Sequence, residues 1–392
     1  MPSSADEVPP RSHSSTSLRM LFLESVCCCA TSERNRHYGK VIALNTLIHI
    51  NPITDPRWLH LVQHQTSTAF HAPAWLAVLA DTYGFEPQAT LLLDENGAPC
   101  AGLPFVRVAD IFGARSVTLP FSDFCDPLAQ TDVQWQALVQ PVLDCGAPVV
   151  LRPLHNAVPL GDSRFTLLKK AHWHRIDIRP DLDTIWKRND EATHRAIKKA
   201  QRDGVTVTAR QDKEAVRAYF EMHLGIRKHK YNMLAQPWPF FENIHKHWFE
   251  AGQGAVLLAT HQDKIIAGTL VLRWKDTLYY KFNASAREQL GTRPNDLIVW
   301  ELIQYAKQLG CDWVDFGLSD WGQEGLLRFK LKYATEEGVI SFLKHTPAQF
   351  APNVGEPQLR ALLGQLTQLF IDPSVPDAVT ETAGNTLYPF FV

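Results

Sequence analysis

LYYKFNASAREQLGTRPNDLIVWELIQYAKQLGCDWVDFGLSDWGQEGLLRFKLKY, residues 278–333, is the stretch whose reading decides the fold. Leu278–Phe282 is aromatic and apolar, which suits a pleated, buried strand. Arg287–Arg293 is polar, contains a glycine and ends at Pro294, so it reads as a loop. Asn295 is placed to cap a helix, with Asp296 in the first turn at the positive end of the dipole. Leu297, Trp300, Glu301, Ile303, Gln304 and Lys307 follow at helical spacing, and Gly310 supplies the stop. Asp312–Gly317 resumes as a strand, and a short basic segment with Arg328, Phe329 and Lys330 closes the unit. A helix that starts between two strands offers its N-terminus to an acyl or phosphate group.

Outward from this unit, 392 residues suffice for two domains. The net charge of −2 provides no global basic field for a nucleic acid, so DNA is not an expected partner and electrostatic binding must be local. Seven cysteines form no CxxC pair and no zinc spacing, which predicts a reduced, cytoplasmic setting with the cysteines as small core residues. The apolar run Leu18–Ala30 is interrupted by Arg19 and Glu24 and is too short to span a bilayer. Residues 1–45, rich in Ser, Pro and Arg, read as disordered or as lying ahead of the true start.

A long offset repeat adds the domain plan. Shifted by 166 residues, Ala89–Val108 lies on Ala255–Trp274 without a gap. Ala89, Leu91, Leu92, Ala101, Gly102 and Arg107 match Ala255, Leu257, Leu258, Ala267, Gly268 and Arg273. Pro73 falls on Pro239 in the preceding helical segments. The period is far longer than a solenoid unit, so the expectation is a duplicated α/β domain. The boundaries expected are 46–171 and 172–346, with a tail of one helix over 347–392. Between the copies, one long helix is expected from about Asp183 to Gly204, then Asp212–Lys230 and Pro239–Glu250.

The succession strand, Ala-Gly, strand, Tyr-Tyr-Lys-Phe-Asn-Ala-Ser, loop, Arg-Pro-Asn, helix, Asp-Phe-Gly, Gly-Leu-Leu-Arg-Phe-Lys resembles the second half of the Fem-type (FemABX) transferases. It is equally similar to GNAT-like acyltransferase domains of polysaccharide and cell-wall gene clusters. The resemblance covers about residues 50–345. It implies an α/β (α+β) protein of two tandem GNAT-like domains, each a mixed central sheet flanked by helices. It also implies acyl transfer to an amine of a cell-wall or polysaccharide precursor, the aminoacyl donor of true Fem enzymes being a charged tRNA. Lys330 and Phe329 match the family's Phe-Lys pair, whose lysine steadies the tetrahedral oxyanion or contacts the tRNA end. Two features depart from the pattern. No heptad run long enough for the coiled-coil arm of the staphylococcal members is present, and Arg287–Arg293 only approaches the acetyl-CoA signature of ordinary GNAT enzymes. The donor therefore stays open between aminoacyl-tRNA and acyl-CoA, with no tightly bound cofactor expected. An acyl-CoA-dependent N-acetyltransferase and a non-catalytic nucleotide-sugar or peptide binder are the alternatives. A lipid-linked acceptor would bring peripheral membrane contact without a transmembrane segment.

Acyl transfer to an amine needs a deprotonated amine, a held donor and a stabilised oxyanion. Lys330 is the candidate for the oxyanion. Asp123 and Asp126 are candidates for the base, though ordinary Asp-Pro turn chemistry accounts for them too. Asp315, inside a strand, is either a site residue or half of a structural ion pair. Tyr280, Lys281 and Asn283 sit at the end of the central strand, and Arg293, Asn295 and Arg328 flank it. Arg195, Lys198, Lys199 and Arg202 share one helical face at i, i+3, i+4 and i+7. That stripe is either a phosphate-binding surface for a nucleotide-linked precursor or tRNA, or the wet side of an amphipathic helix. Arg227, with Lys228 and Lys230, either extends it or neutralises a helix C-terminus. His172 and His174 share a strand face without a third ligand, so no metal is expected.

Overall fold

The computed structural model describes residues 46–351 and 353–392, so the reading of residues 1–45 lies outside the described residues. In chain order the first half holds β1 (Thr46–Ile50), α1 (Pro56–His64), α2 (Pro73–Tyr83), β2 (Pro87–Leu93), β3 (Pro99–Asp110), β4 (Gly113–Val117), α3 (Asp132–Leu143), β5 (Val149–Leu151) and β6 (Thr166–Asp177). The second half continues with α4 (Leu182–Arg188), α5 (Glu191–Arg202), β7 (Thr206–Arg210), α6 (Lys213–His229), α7 (Trp238–Ile244), β8 (Gly254–His261), β9 (Lys264–Trp274) and β10 (Thr277–Ser285). It ends with α8 (Pro294–Gln308), β11 (Trp313–Ser319), α9 (Glu324–Leu331) and β12 (Glu336–His345). α10 (Glu356–Phe370) and α11 (Asp377–Leu387) follow.

The strands make one 12-stranded mixed sheet in the order β1-β2-β3-β4-β5-β12-β6-β11-β10-β9-β8-β7. The order is a palindrome of two like halves with one exchange at its centre. β6, which follows β5, pairs with β11; β12, which follows β11, pairs with β5. The two crossed strands pair with each other. The boundary expected at 171/172 falls inside β6, and each half completes its sheet with the other's last strand.

Alternation along the strands sorts the core into layers. Leu91, Val256 and Leu258 face one core with Trp58, Trp75, Tyr219, Phe220, Phe240 and Phe241, so α1, α2, α6 and α7 cover a single hydrophobic layer spanning both halves. On the opposite face Leu92 meets α3 through Trp135 and Leu138, while Leu257 meets α8 through Val299 and Leu302.

The repeat holds at the hairpins, and its glycines have one job. A Cβ on Gly102 would meet Leu61 Cδ2 and Trp58 Cζ3 at 2.7 Å, and one on Gly268 would meet Leu258 Cδ2 at 2.9 Å and Tyr219 Cδ2 at 3.0 Å. Each glycine lets a helix, α1 or α6, lie directly on the sheet. The registers differ by one residue: Leu91 faces Gly102, but Leu258 rather than Leu257 faces Gly268.

Four expectations change. The long helix breaks into α4 and α5, because Asp190 caps a new start by accepting the Thr193 N–H. Asn295 is not the cap: α8 begins at Pro294, after Arg293 in the left-handed region (φ 59°). The basic segment is α9, a helix that points Lys330 back at β11. The tail carries two helices, and α11 docks on α6 through Lys228–Asp377 and Arg217–Glu381 pairs.

Candidate functional site

β10 and β11 run parallel and pair only over Thr277–Tyr279 and Trp313–Asp315. Beyond that point they part. β10 stays with β9 as far as Ser285, through a bulge between Tyr280 and Phe282, while Leu318 and Ser319 of β11 stay with β6. Parting strands leave a wedge with backbone groups on both walls. The wedge opens into a cavity of about 770 Å³, large enough for a substrate-sized group. Tyr280, Lys281, Asn283 and Asn295 form one wall, Arg328, Phe329 and Lys330 another, and Asp123 and Arg227 complete it.

The bulge in β11 organises the polar groups. Gly317 sits at φ +62°, which favours glycine, and a Cβ there would lie 2.2 Å from Asp123 Oδ2. Asp315 lies behind the turn, fully buried: its Oδ1 accepts the Gly317 N–H (2.6 Å) and its Oδ2 the Trp173 indole N–H (2.9 Å). The turn aims the Leu318 carbonyl at Lys330, whose Nζ donates to it at 2.8 Å and to the Gly317 carbonyl at 3.3 Å. An ammonium has three N–H donors, so one is left for the cavity. Lys330 is only 3% exposed. Burial lowers its pKa to about 8, with the nearby Asp123 and Asp315 carboxylates opposing the shift. Burial pushes Asp315 the other way, to about 7.

Asp123 reaches this site from the first half. Its Oδ1 pairs with Lys281 Nζ at 2.5 Å, and its Oδ2 accepts the Leu318 N–H at 3.4 Å. The Lys281 ammonium also sits over the Phe70, Trp75 and Phe282 rings at 4.8, 5.3 and 5.1 Å, which steadies a buried cation. The loop holding Asp123 has Leu119 and Phe121 at φ 50° and 59°, conformations costing about 1–2 kcal/mol per residue. Trp75 and Arg152 hold the loop in place by donating to the Ser122 hydroxyl (2.8 Å) and carbonyl (2.9 Å).

Arg227, Lys230 and Arg328 also line the cavity, facing the carboxylates of Asp320 and Glu324, while Lys281, Lys330 and Asp123 lie at its head. His223 also lines the cavity; burial lowers it to about 3, its Nε2 pairs with Gln236 and its Nδ1 has no partner among the described residues. Asn283 bonds Thr269 Oγ1 at 2.9 Å and Asn295 at 3.3 Å.

The structure thus gathers Lys330, Phe329, Asp123, Arg227, Tyr280, Lys281, Asn283, Asn295 and Arg328 around one cavity. Asp315 supports it from behind. Asp126 faces elsewhere: Oδ1 accepts three backbone N–H groups, from Leu154, His155 and Asn156, at 2.8–3.0 Å. The α5 stripe is outside the cavity, with Arg195, Lys198 and Arg202 exposed and Lys199 paired to Asp203. Arg293 starts α8 and does not line the cavity. Sequence reading missed His223, Trp173 and the role of Gly317; a glycine two residues after a strand aspartate was the available signal. Among the described residues no group of three His, Cys, Asp or Glu is placed to hold a metal ion.

A family model, the acetyltransferase (GNAT) domain, matches residues 188–331. Those residues are a GNAT-type acetyltransferase domain. The match supports a transferase, and the matched span contains every cavity residue named above except Asp123. No curated protein sequence matches the chain. Among solved structures, FemX superposes with a TM-score of 0.59 at 13% identity, over 81% of this chain and 99% of its own. A C-terminal domain (DUF2156) assigned to a lysylphosphatidylglycerol synthetase of Agrobacterium fabrum gives 0.51 at 13%, over 80% and 95%. L-PGS of Bacillus licheniformis gives 0.51 at 14%, over 80% and 96%. The likeness to Fem-type transferases therefore extends from the second half to the fold of most of the chain. No helix among the described residues is long and apolar enough to cross a membrane.

Proposed function

We propose that the protein transfers an aminoacyl group from an activated ester, such as a charged tRNA, to an amine of a cell-envelope precursor. The observation that carries this reading is the β10–β11 wedge with a buried lysine ammonium and a carboxylate at its head. In the step proposed, the acceptor nitrogen attacks the ester carbonyl, and the carbonyl π pair moves onto oxygen. The free N–H of Lys330 meets that oxyanion, a contact typically worth a few kcal/mol in a site shielded from water. Asp123 holds the acceptor ammonium and takes one proton to free the nucleophile. As the intermediate collapses the ester C–O bond breaks, Asp123 returns that proton to the departing alkoxide, and the extra proton on the new amide nitrogen leaves to solvent.

The α8 N-terminus favours an ester donor over acyl-CoA. Asp296 already puts a buried carboxylate in its first turn, held by Tyr333 Oη (2.9 Å) and Lys332 Nζ (3.1 Å). A pyrophosphate brought to the same turn meets that charge instead of a free dipole. The cationic mouth at Arg227, Lys230 and Arg328 offers phosphates an alternative partner. The name lysylphosphatidylglycerol synthetase, carried by one structural relative, describes a product with an aminoacyl group on a lipid headgroup, in keeping with a cell-envelope acceptor.

The test is mass spectrometry of peptidoglycan precursors and phosphatidylglycerol incubated with the protein and charged tRNA, with acetyl-CoA in a parallel reaction. Aminoacylated product only with charged tRNA supports the reading. Acetylated product in the CoA reaction, with none from tRNA, overturns it.

A further inference from the structure

The palindromic sheet sends the surroundings of the catalytic cavity to a second place. That cavity is built from the end of α6 (Ile226–Met233), the β10–α8 connection (Ser285, Leu290) and the segment after β11 (Asp320–Gln323). The matching pieces of the first half are the end of α1, the β4–α3 connection and the segment after β5. These pieces line a separate cavity of about 590 Å³: His64–Thr66, Thr68 and His71, then Asp126–Gln130, then His155–Val158. The inner wedge of the first half is closed by its own chain, since Cys125 bridges Arg152 between β4 and β5. The outer chamber remains.

Its chemistry is the reverse of the catalytic cavity's. Among the described residues no lysine or arginine lines it. Its carboxylate is Asp126, 6% exposed, with Oδ1 filled by three backbone N–H groups and Oδ2 without a hydrogen-bond partner among the described residues. His71 fixes this aspartate: its Nδ1 accepts the Thr68 N–H (3.1 Å), so its Nε2 carries the proton and donates to the Asp126 carbonyl (2.8 Å). Lys275, whose charge acts on His71, is engaged with the Gln65 carbonyl at 2.5 Å. A carboxylate oxygen open to the chamber on an otherwise buried aspartate is best met by a charged donor, and the neutral Thr66, Gln130 and His155 side chains around it suit hydroxyl or amide groups.

We infer that the first-half cavity is a second ligand site, which takes a small molecule bearing a primary ammonium and hydroxyl groups, its ammonium on Asp126 Oδ2. The site is independent of the acyl-transfer reading, because binding alone reports on it. Isothermal titration of the full chain with glucosamine is the test, with N-acetylglucosamine as the counterpart lacking the charge. Glucosamine binds, and N-acetylglucosamine binds at least tenfold more weakly. Asp126→Asn, which keeps an Oδ1 acceptor for the three N–H groups, weakens glucosamine at least tenfold; Asp123→Asn, in the other cavity, leaves it unchanged. Ala157→Trp, at an exposed lining position, blocks the chamber and decides the matter if Asp126→Asn fails to fold. No binding by the wild-type chain, equal affinity in Asp126→Asn or in a folded Ala157→Trp, or loss in Asp123→Asn alone would each overturn the proposal.

Discussion

The two halves of the sheet start from the same plan and end with opposite clefts. In the second half β10 and β11 part, the gap stays open, and a helix returns Lys330 to its head. In the first half β4 and β5 also run parallel, over Ser116–Val117 and Val149–Val150, but the Phe121–Pro127 loop folds back into the gap. The same loop delivers Asp123 to the other half. The difference teaches that the duplicated half was not left idle: its cleft is filled by the segment that completes its partner's.

The largest effect expected from breaking this division is at Lys330. Lys330→Met should lower kcat by about 10²–10³-fold, the scale for removing one oxyanion donor. The melting temperature should fall by only a few degrees, because the loss of two hydrogen bonds to the Gly317 and Leu318 carbonyls is offset in part by removing a charge that burial disfavours. A variant with near wild-type turnover would remove Lys330 from the chemistry.

Next comes the junction of the halves. Gly317→Ala forces a Cβ against Asp123 Oδ2 and strains a left-handed backbone, so a loss of about 1–3 kcal/mol of stability and of most activity is expected. In Gly317→Ala with Asp123→Ser the clash is gone, and denaturant titration should recover part of the stability although activity stays low. Strict additivity of the two changes would mean that Asp123 and the bulge are not coupled.

A pH profile sharpens the comparison further. With Lys330 lowered to about 8, its positive charge disappears as pH rises through that value, and kcat should fall there. A rate flat to pH 10 would contradict an ammonium role. Stability carries the opposite sign. The folded chain binds fewer protons than the unfolded between about 8 and the free-lysine value of 10.5, so Lys330 makes the fold more stable as pH rises across that window. Asp315, raised from 3.8 to about 7, makes the fold less stable as pH rises across its own window.

The smallest effects test the likeness of the halves. Gly102→Ala and Gly268→Ala should each destabilise by roughly 1–3 kcal/mol through overpacking. Gly102 should be the worse, since its neighbours stand at 2.7 Å whereas those of Gly268 stand at 2.9 to 3.2 Å and include the pliable Met222. Matching melting curves for both variants and the wild type would deny the glycines their role under the helices.

Much of this was legible in the chain. The Ala-Gly pairs showed the duplication because close helix-on-sheet contact admits only a small residue, and that constraint acts locally. Tyr280, Lys281 and Asn283 were legible as residues that line the cavity because strand periodicity and the following loop placed them at a strand end. Asp126 was misplaced beside Asp123, since two aspartates three residues apart carry the same turn signal and only the fold sends one to each cavity. The α5 stripe has the same helical spacing whether or not a cavity lies beneath it.

Local pattern by itself determined the elements, the duplication and the Phe329-Lys330 segment, because propensity and periodicity act over a few residues. Only the tertiary structure decided that β6 and β12 change partners, that α9 turns Lys330 inward, and that Asp123 meets Lys281 158 residues away. Those choices rest on which buried polar groups find partners across the sheet, and such pairing leaves no period in the sequence.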